Sequence, residues 1–203
     1  MPAATLPLPT IAEGVLPRKR FTRDEVLQMM DLGLFDGKRC ELIDGDLIDK
    51  MGQRPPHAIG VQLLTEVLAA IFGLKRVRVQ LPIEAAPEDS ERNMPEPDGA
   101  VLKERSDEYC VRHPRGDELL LAAEVSDTSV RHDSTSKRDL YARAGVSEYW
   151  VVDVNRRLLR VHRNLTDGVY GEIADFNETA VIRTSGAPEA DIPVAELLPK
   201  ALD

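Results

Sequence analysis

The chain has 203 residues, 42% of them hydrophobic and 30% charged, with a formal net charge of -9. That length supports a core without staples, and that composition excludes disorder for most of the chain. Cys40 and Cys110 have no metal-ligand spacing and are too few for a disulfide framework.

Residues 1 to 20 are Pro-rich, end in Arg18-Lys19-Arg20 and predict a mobile tail; residues 21–203 read as a single domain. Thr22 with Glu25 forms a capping box and Phe21 with Val26 a hydrophobic staple, so a helix is expected from Thr22 to Asp31, stopped by Gly33. Cys40 to Asp49 predicts a hairpin turning at Asp44-Gly45. A second helix starts at Pro55 and ends near Gly73, its apolar face carried by Ile59, Leu63, Val67, Ala70 and Ile71. No apolar stretch is expected to approach the ~18 residues of a membrane span. Met1 to Thr10 has no signal-peptide layout. With two thiols read as reduced, a cytoplasmic protein is expected.

Val77 to Glu84 predicts a strand with Val77, Val79 and Leu81 on one face, and Asp98 to Leu102 another. Glu104 to Asp117 is a polar loop, the best place for a substrate-facing insertion. Leu119 to Val125 is almost wholly apolar, as in a central strand covered on both faces. Asp139 to Ala144 is helical with Gly145 as its stop, and Tyr149 to Val154 is a second buried strand. Leu158 to Arg163, Val169 to Ile173 and Ala180 to Arg183 read as short antiparallel strands, and Pro193 to Leu198 as a half-turn of helix. The fold class is mixed α/β: a central mixed sheet flanked by helices, with additional antiparallel strands.

Chemistry concentrates between Pro97 and Asp153. Asp98 opens one strand and Glu124 ends another, and a buried acid needs a partner. Lys137 lies near the predicted helix start, one turn before Tyr141, and is the natural partner. Two carboxylates with a lysine on adjacent elements are suited to holding a hard divalent ion beside a scissile phosphate. Asp98, Glu124 and the Val125 carbonyl are the candidate ligands for Mg²⁺ or Mn²⁺. The four histidines show no ligand pairing, so a zinc hydrolase is disfavoured. The negative net charge opposes nucleic-acid binding. Against that stand clusters at Lys75-Arg76-Val77-Arg78, Arg112-His113-Pro114-Arg115, and Arg156-Arg157 with Arg160 and Arg163.

The assembly Pro97-Asp98, Glu124-Val125-Ser126, Asp133, Lys137, Tyr141, Gly145-Val146 and Glu148-Tyr149-Trp150-Val151-Val152-Asp153 resembles the Uma-two family of restriction endonucleases. That family is a branch of the PD-(D/E)XK nuclease superfamily. Glu41-Leu42-Ile43-Asp44-Gly45-Asp46-Leu47 and His57 match its N-terminal part. The resemblance implies a restriction-endonuclease-like fold and a metal-dependent endonuclease acting on DNA. It implies Asp98 and Glu124 as ligands, with Glu41 as a further acid; His57 and Tyr141 match motif positions. Ser126 stands where the superfamily lysine belongs, and the resemblance implies that Lys137 supplies it from the following helix. A homodimer suits the cutting of two strands. The alternative reading is an inactive nuclease-fold module that binds nucleic acid or protein without cutting.

Overall fold

The computed structural model describes residues 18–50, 53–127 and 129–201. Helix α1 (Arg23–Asp31) is capped by Thr22 through the expected capping box, with the Thr22 hydroxyl accepting from Glu25 N–H and the Glu25 carboxylate from Thr22 N–H. The tail expected over 1–20 lies mostly outside the described residues. Its last part is tied down: Lys19 pairs with Glu25 at 2.7 Å and Arg20 with Asp46 at 2.6 Å.

Strands β1 (Cys40–Ile43) and β2 (Asp46–Asp49) form the predicted hairpin, with Asp44 and Gly45 both in the left-handed region its tight turn requires. Helix α2 (Pro55–Phe72) follows. Two expectations about it need correction. It buries Gly60, Val61, Leu64 and Leu68, while Ile59 and Ala70 are exposed. It is also 18 residues long with a mean hydropathy of 1.2, enough to cross a membrane by length and composition. In this fold the helix packs against the sheet, so the apolar stripe has a protein partner.

Strands β3 (Val77–Val79), β4 (Gly99–Leu102), β5 (Leu119–Ser126), β6 (Tyr149–Asp153), β7 (Leu158–Thr166) and β8 (Val169–Asn177) form one six-stranded sheet in that order. Only β5 and β6 pair in parallel; the other neighbours are antiparallel. Strand β3 is shorter than predicted because Gln80 adopts a positive φ of 51°, and Leu81 beyond it is 45% exposed. Strands β7 and β8 are nine residues each, longer than expected. The pair β9 (Val181–Thr184) and β10 (Ala187–Pro193) forms a separate antiparallel ribbon.

The parallel β5–β6 pair needs a crossover, and Val130 to Arg143 provides it. That segment contains α3 (Val130–His132), a π-helical stretch (Asp133–Lys137) and α4 (Arg138–Arg143). The sequence pattern switches period from Asp133, whereas the helical path already begins at Val130, so Lys137 sits in its middle rather than near its start.

Alternation along the strands divides the core. Val101, Leu121, Ala123, Val125 and Val152 pack under Leu64 and Leu68 of α2. Ala100, Ala122, Tyr149 and Val151 pack against Tyr141 and Ala142 of α4. Glu124 shares the second face with Ala122, so a charged group is built into an otherwise apolar layer. Only partners can keep it there.

Candidate active site

Asp98 immediately precedes β4, and Gly99 is in register with Ala123 of β5, which sets Asp98 beside Glu124. Glu41 comes from β1, Lys50 follows β2, and Lys137 projects from the π stretch. Glu41, Asp98, Glu124, Asp133 and Lys137 are each only 2% exposed. Each of the three central carboxylates is anchored to the scaffold and keeps one oxygen toward the same point.

Glu124 Oε1 accepts from Lys137 Nζ at 2.8 Å and from the Tyr141 hydroxyl at 2.7 Å. Asp98 Oδ2 accepts Val125 N–H at 2.9 Å and lies 3.3 Å from His57 Nε2, while Gln80 Nε2 donates to Oδ1 at 3.0 Å. Glu41 Oε1 is 2.8 Å from Lys137 Nζ, and its Oε2 accepts Glu96 N–H. One oxygen of each acid also faces Lys50, and of the three only Glu124 Oε2 accepts no hydrogen bond among the described residues. Its Nζ is 3.9 Å from Glu41 Oε2, 3.8 Å from Asp98 Oδ1 and 3.9 Å from Glu124 Oε2. The ammonium is held there by the Glu96 carbonyl at 2.6 Å.

The π stretch sets the lysine. Tyr149 donates to the Asp133 carbonyl at 3.0 Å, and Ser126 and Ser129 both donate to the Asp133 carboxylate. Widened turns of this kind recur at functional positions because they re-aim side chains without ending the helix. Here Asp133, Lys137 and Tyr141 line one edge, with Lys137 Nζ 3.9 Å from Asp133 Oδ1. Ser126 thus serves Asp133 rather than Glu124.

The electrostatics follow from burial and neighbours. Burial pushes the Glu124 carboxyl up to about 8, against the pull of Lys137 and Lys50 and with the push of Asp98 and Asp133. Burial alone would also raise Asp98, but the His57 hydrogen bond, the charges of Lys50 and His57, and the Gln80 amide hold it below the usual carboxylate range. Burial disfavours a charged Lys137, yet Glu124, Glu41 and Asp133 raise its pKa and keep it an ammonium. With Glu124 ionised, four carboxylates (Glu41, Asp98, Glu124, Asp133) against two ammonium groups (Lys50, Lys137) leave two formal negative charges on buried side chains. A divalent cation balances that count.

The donor set is hard oxygen, which suits Mg²⁺ or Mn²⁺. Among the described residues no three Asp, Glu, His or Cys side chains form a ready-made metal cage. A cation here would take few protein ligands and keep water, as Mg²⁺ does. The oxygens face a cleft of about 220 Å³ lined by Lys50, Arg54, His57, Asp98, Glu124 and His132, among others.

The structure therefore brings together every candidate residue named from sequence: Asp98, Glu124, Val125, Lys137, Glu41, His57 and Tyr141 at the site, with Ser126 one step removed. Sequence reasoning missed Lys50 and Gln80 and gave Asp133 no role. Lys50 carried no signal beyond being the first residue after a hairpin.

A family model described as "Uma2: Putative restriction endonuclease" matches residues 23–195. The chain belongs to the Uma2 family. No curated protein matches this Uma2 chain. Among solved structures, it is similar to one described as a putative nuclease belonging to DUF820 from Anabaena variabilis ATCC 29413. The TM-score is 0.67 at 16% identity, over 87% of this chain and 97% of that one. At that identity the likeness speaks for the fold. Family and fold together are those of a restriction-endonuclease-like nuclease.

Proposed function

We propose that this Uma2 protein is a divalent-metal-dependent endonuclease that hydrolyses phosphodiester bonds in DNA. The observation that carries the reading is the convergence of one oxygen each from Glu41, Asp98 and Glu124 on a single point of the cleft, within 3.8–3.9 Å of the Lys50 ammonium. An Mg²⁺ or Mn²⁺ ion held by Asp98, Glu124 and the Val125 carbonyl would neutralise phosphate charge and make water more acidic.

The residues divide the remaining work. Asp98 stays ionised because His57 and Gln80 hold it so. Lys137 and Tyr141 occupy Glu124 Oε1 and thereby fix where Oε2 points. Lys137 is the lysine that the superfamily places two residues after the acid; delivered from the helix, it keeps positive charge at the carboxylates as phosphate charge builds. Lys50, which lines the same cleft, can meet a phosphate oxygen once a cation takes its place among the carboxylates. The retention of every polar group, with Lys137 doubly bonded, supports an active site over a binding module that does not cut.

A plasmid-nicking assay with Mg²⁺ or Mn²⁺ tests the reading, with Glu124→Ala and Lys137→Ala as controls. Wild type is expected to nick, and both variants to lose at least a hundredfold in rate. Nicking that persists in both variants would remove these residues from the mechanism. An inert wild type on DNA and RNA alike would favour the binding module.

A further inference from the structure

The basic clusters of the sequence are mostly neutralised in the fold. Arg157 pairs with Glu178, Arg160 with Asp175, Arg163 with Glu172 and Arg115 with Asp117. In the first cluster Lys75 is exposed and Arg76 donates to the Lys103 carbonyl, while Arg78 is buried. It is 8% exposed, its Nε has no hydrogen-bond partner, and its Nη2 makes only two long contacts, to the Pro82 carbonyl and His113 Nδ1, both at 3.4 Å. No carboxylate among the described residues pairs with it. A buried guanidinium left this bare costs free energy that an anion would recover.

Arg78 lines a cleft of about 620 Å³ with Arg23, Glu84, Tyr109, Arg112 and His113. The 104–117 loop forms its outer wall and is pinned by Glu84 N–H to the Pro114 carbonyl at 2.9 Å. Arg23 is the first residue of α1, where the helix dipole disfavours a cation. Arg112 is satisfied by two 2.7 Å bonds to Glu118. Within this lining Arg23 and Arg78 stand against the single carboxylate of Glu84, which leaves the lining one positive charge in excess, while Asp24 and Glu91 border Arg23 on its other side. Burial, with the charges of Arg78 and Arg23, lowers the His113 pKa and keeps that ring neutral.

We propose that the cleft between α1, β3 and the 104–117 loop is a second binding site that takes one phosphate group, with Arg78 as its buried anchor and Arg23 at its rim. One excess positive charge matches the single charge of a phosphodiester. The position also fits a nucleic-acid strand: Gln80, the residue that follows β3, donates to Asp98, and Arg78 lies two residues earlier in β3, about 7 Å along the chain. One short segment, Arg78 to Gln80, thus supplies both the phosphate grip and a partner for Asp98. The source of the phosphate rests on the nuclease reading; the phosphate site itself does not.

The test is done in EDTA, where the acid site repels anions. Inorganic phosphate is expected to bind wild type by calorimetry and to raise its urea midpoint. Arg78→Met, which keeps the buried stem, should weaken that binding at least tenfold and Arg23→Met several-fold, while Glu124→Gln leaves it unchanged. Arg78→Met should unfold no earlier than wild type, because it removes an unpaired buried charge. A short single-stranded oligonucleotide should lose affinity with Arg78→Met in parallel. No phosphate binding by wild type, or equal binding by Arg78→Met, overturns the site. Phosphate binding that depends on Arg78 with oligonucleotide affinity unchanged overturns its nucleic-acid source. Loss of metal-dependent nicking with phosphate binding intact would count against the nuclease reading alone.

Discussion

Lys137 Nζ stands 2.8 Å from Glu124 Oε1 although the two residues lie 13 apart in the chain, while Ser126, two residues after Glu124, donates to Asp133. The helix fills the electrostatic place that the strand leaves empty. The same ammonium is 2.8 Å from Glu41, so one lysine holds two buried carboxylates. Lys137→Met should abolish nicking by at least a hundredfold and cost about 3–5 kcal/mol, because it strands buried charge. Urea denaturation gives the second number. The loss should shrink as pH falls through about 8, where Glu124 takes up a proton. Full activity in the variant would leave Lys50 as the working lysine.

Lys50 competes with any cation for the three oxygens it faces. Lys50→Met takes the formal count of the site from two negative charges to three. Mn²⁺ affinity by calorimetry is therefore expected to rise roughly three- to tenfold, about 1 kcal/mol. Stability without metal should fall, since the carboxylates then repel one another unscreened. Unchanged or weaker Mn²⁺ binding would mean that the ammonium does not share the cation's place.

Much of this site could be read from residue order. Glu124 was conspicuous as an acid ending an apolar run, and the Asp44-Gly45 turn fixed the hairpin that delivers Glu41. The order of residues pairs Lys137 with Glu124, but it does not show that Lys137 closes a π stretch. An Asp and a Lys four apart look like an ordinary exposed helix pair, and nothing local says that Tyr149 captures the Asp133 carbonyl. Gln80 was invisible because glutamine seldom marks a left-handed residue, so β3 was drawn too long. Strand β10 reads Ala-Pro-Glu-Ala-Asp-Ile-Pro, and two prolines hide a strand that exists only as one side of a two-stranded ribbon. The buried face of α2 is offset from the apolar pattern because it includes Gly60, which lies close against Val125 and shows no hydrophobic signal.

His162 makes stability depend on pH on the acid side. The ring is 1% exposed, stacked 5.2 Å from Tyr149, with Nδ1–H donating to the Tyr149 carbonyl and Nε2 without a partner. Burial is the chief cause that lowers its pKa from 6.5 to about 4, with Arg138 and Arg160 adding to it. Below pH 6.5 the unfolded chain takes up a proton that the folded ring refuses until about pH 4, so the unfolded state gains. This contribution is fully present above pH 6.5 and shrinks as pH falls, by about 2 kcal/mol at pH 5. His162→Phe should flatten that part of the wild-type curve of urea midpoint against pH. Parallel curves for the two proteins would assign the acid sensitivity elsewhere.

Gly60 links helix packing to the site. A Cβ at this position would lie 2.7 Å from Val125 Cγ1 and 3.4 Å from Val154 Cγ1. Alanine improves helix propensity by about 1 kcal/mol, but forcing a methyl against a stiff β-branched neighbour costs about 1–3 kcal/mol. Overpacking outweighs propensity, and Gly60→Ala should lose about 1 kcal/mol net. The displaced residue is Val125, whose N–H holds Asp98 Oδ2 at 2.9 Å. The nicking rate should therefore fall further than the stability loss explains, when both are measured well below the unfolding transition. A higher urea midpoint in Gly60→Ala would show that α2 can lift from β5, and that Asp98 is not set by that contact.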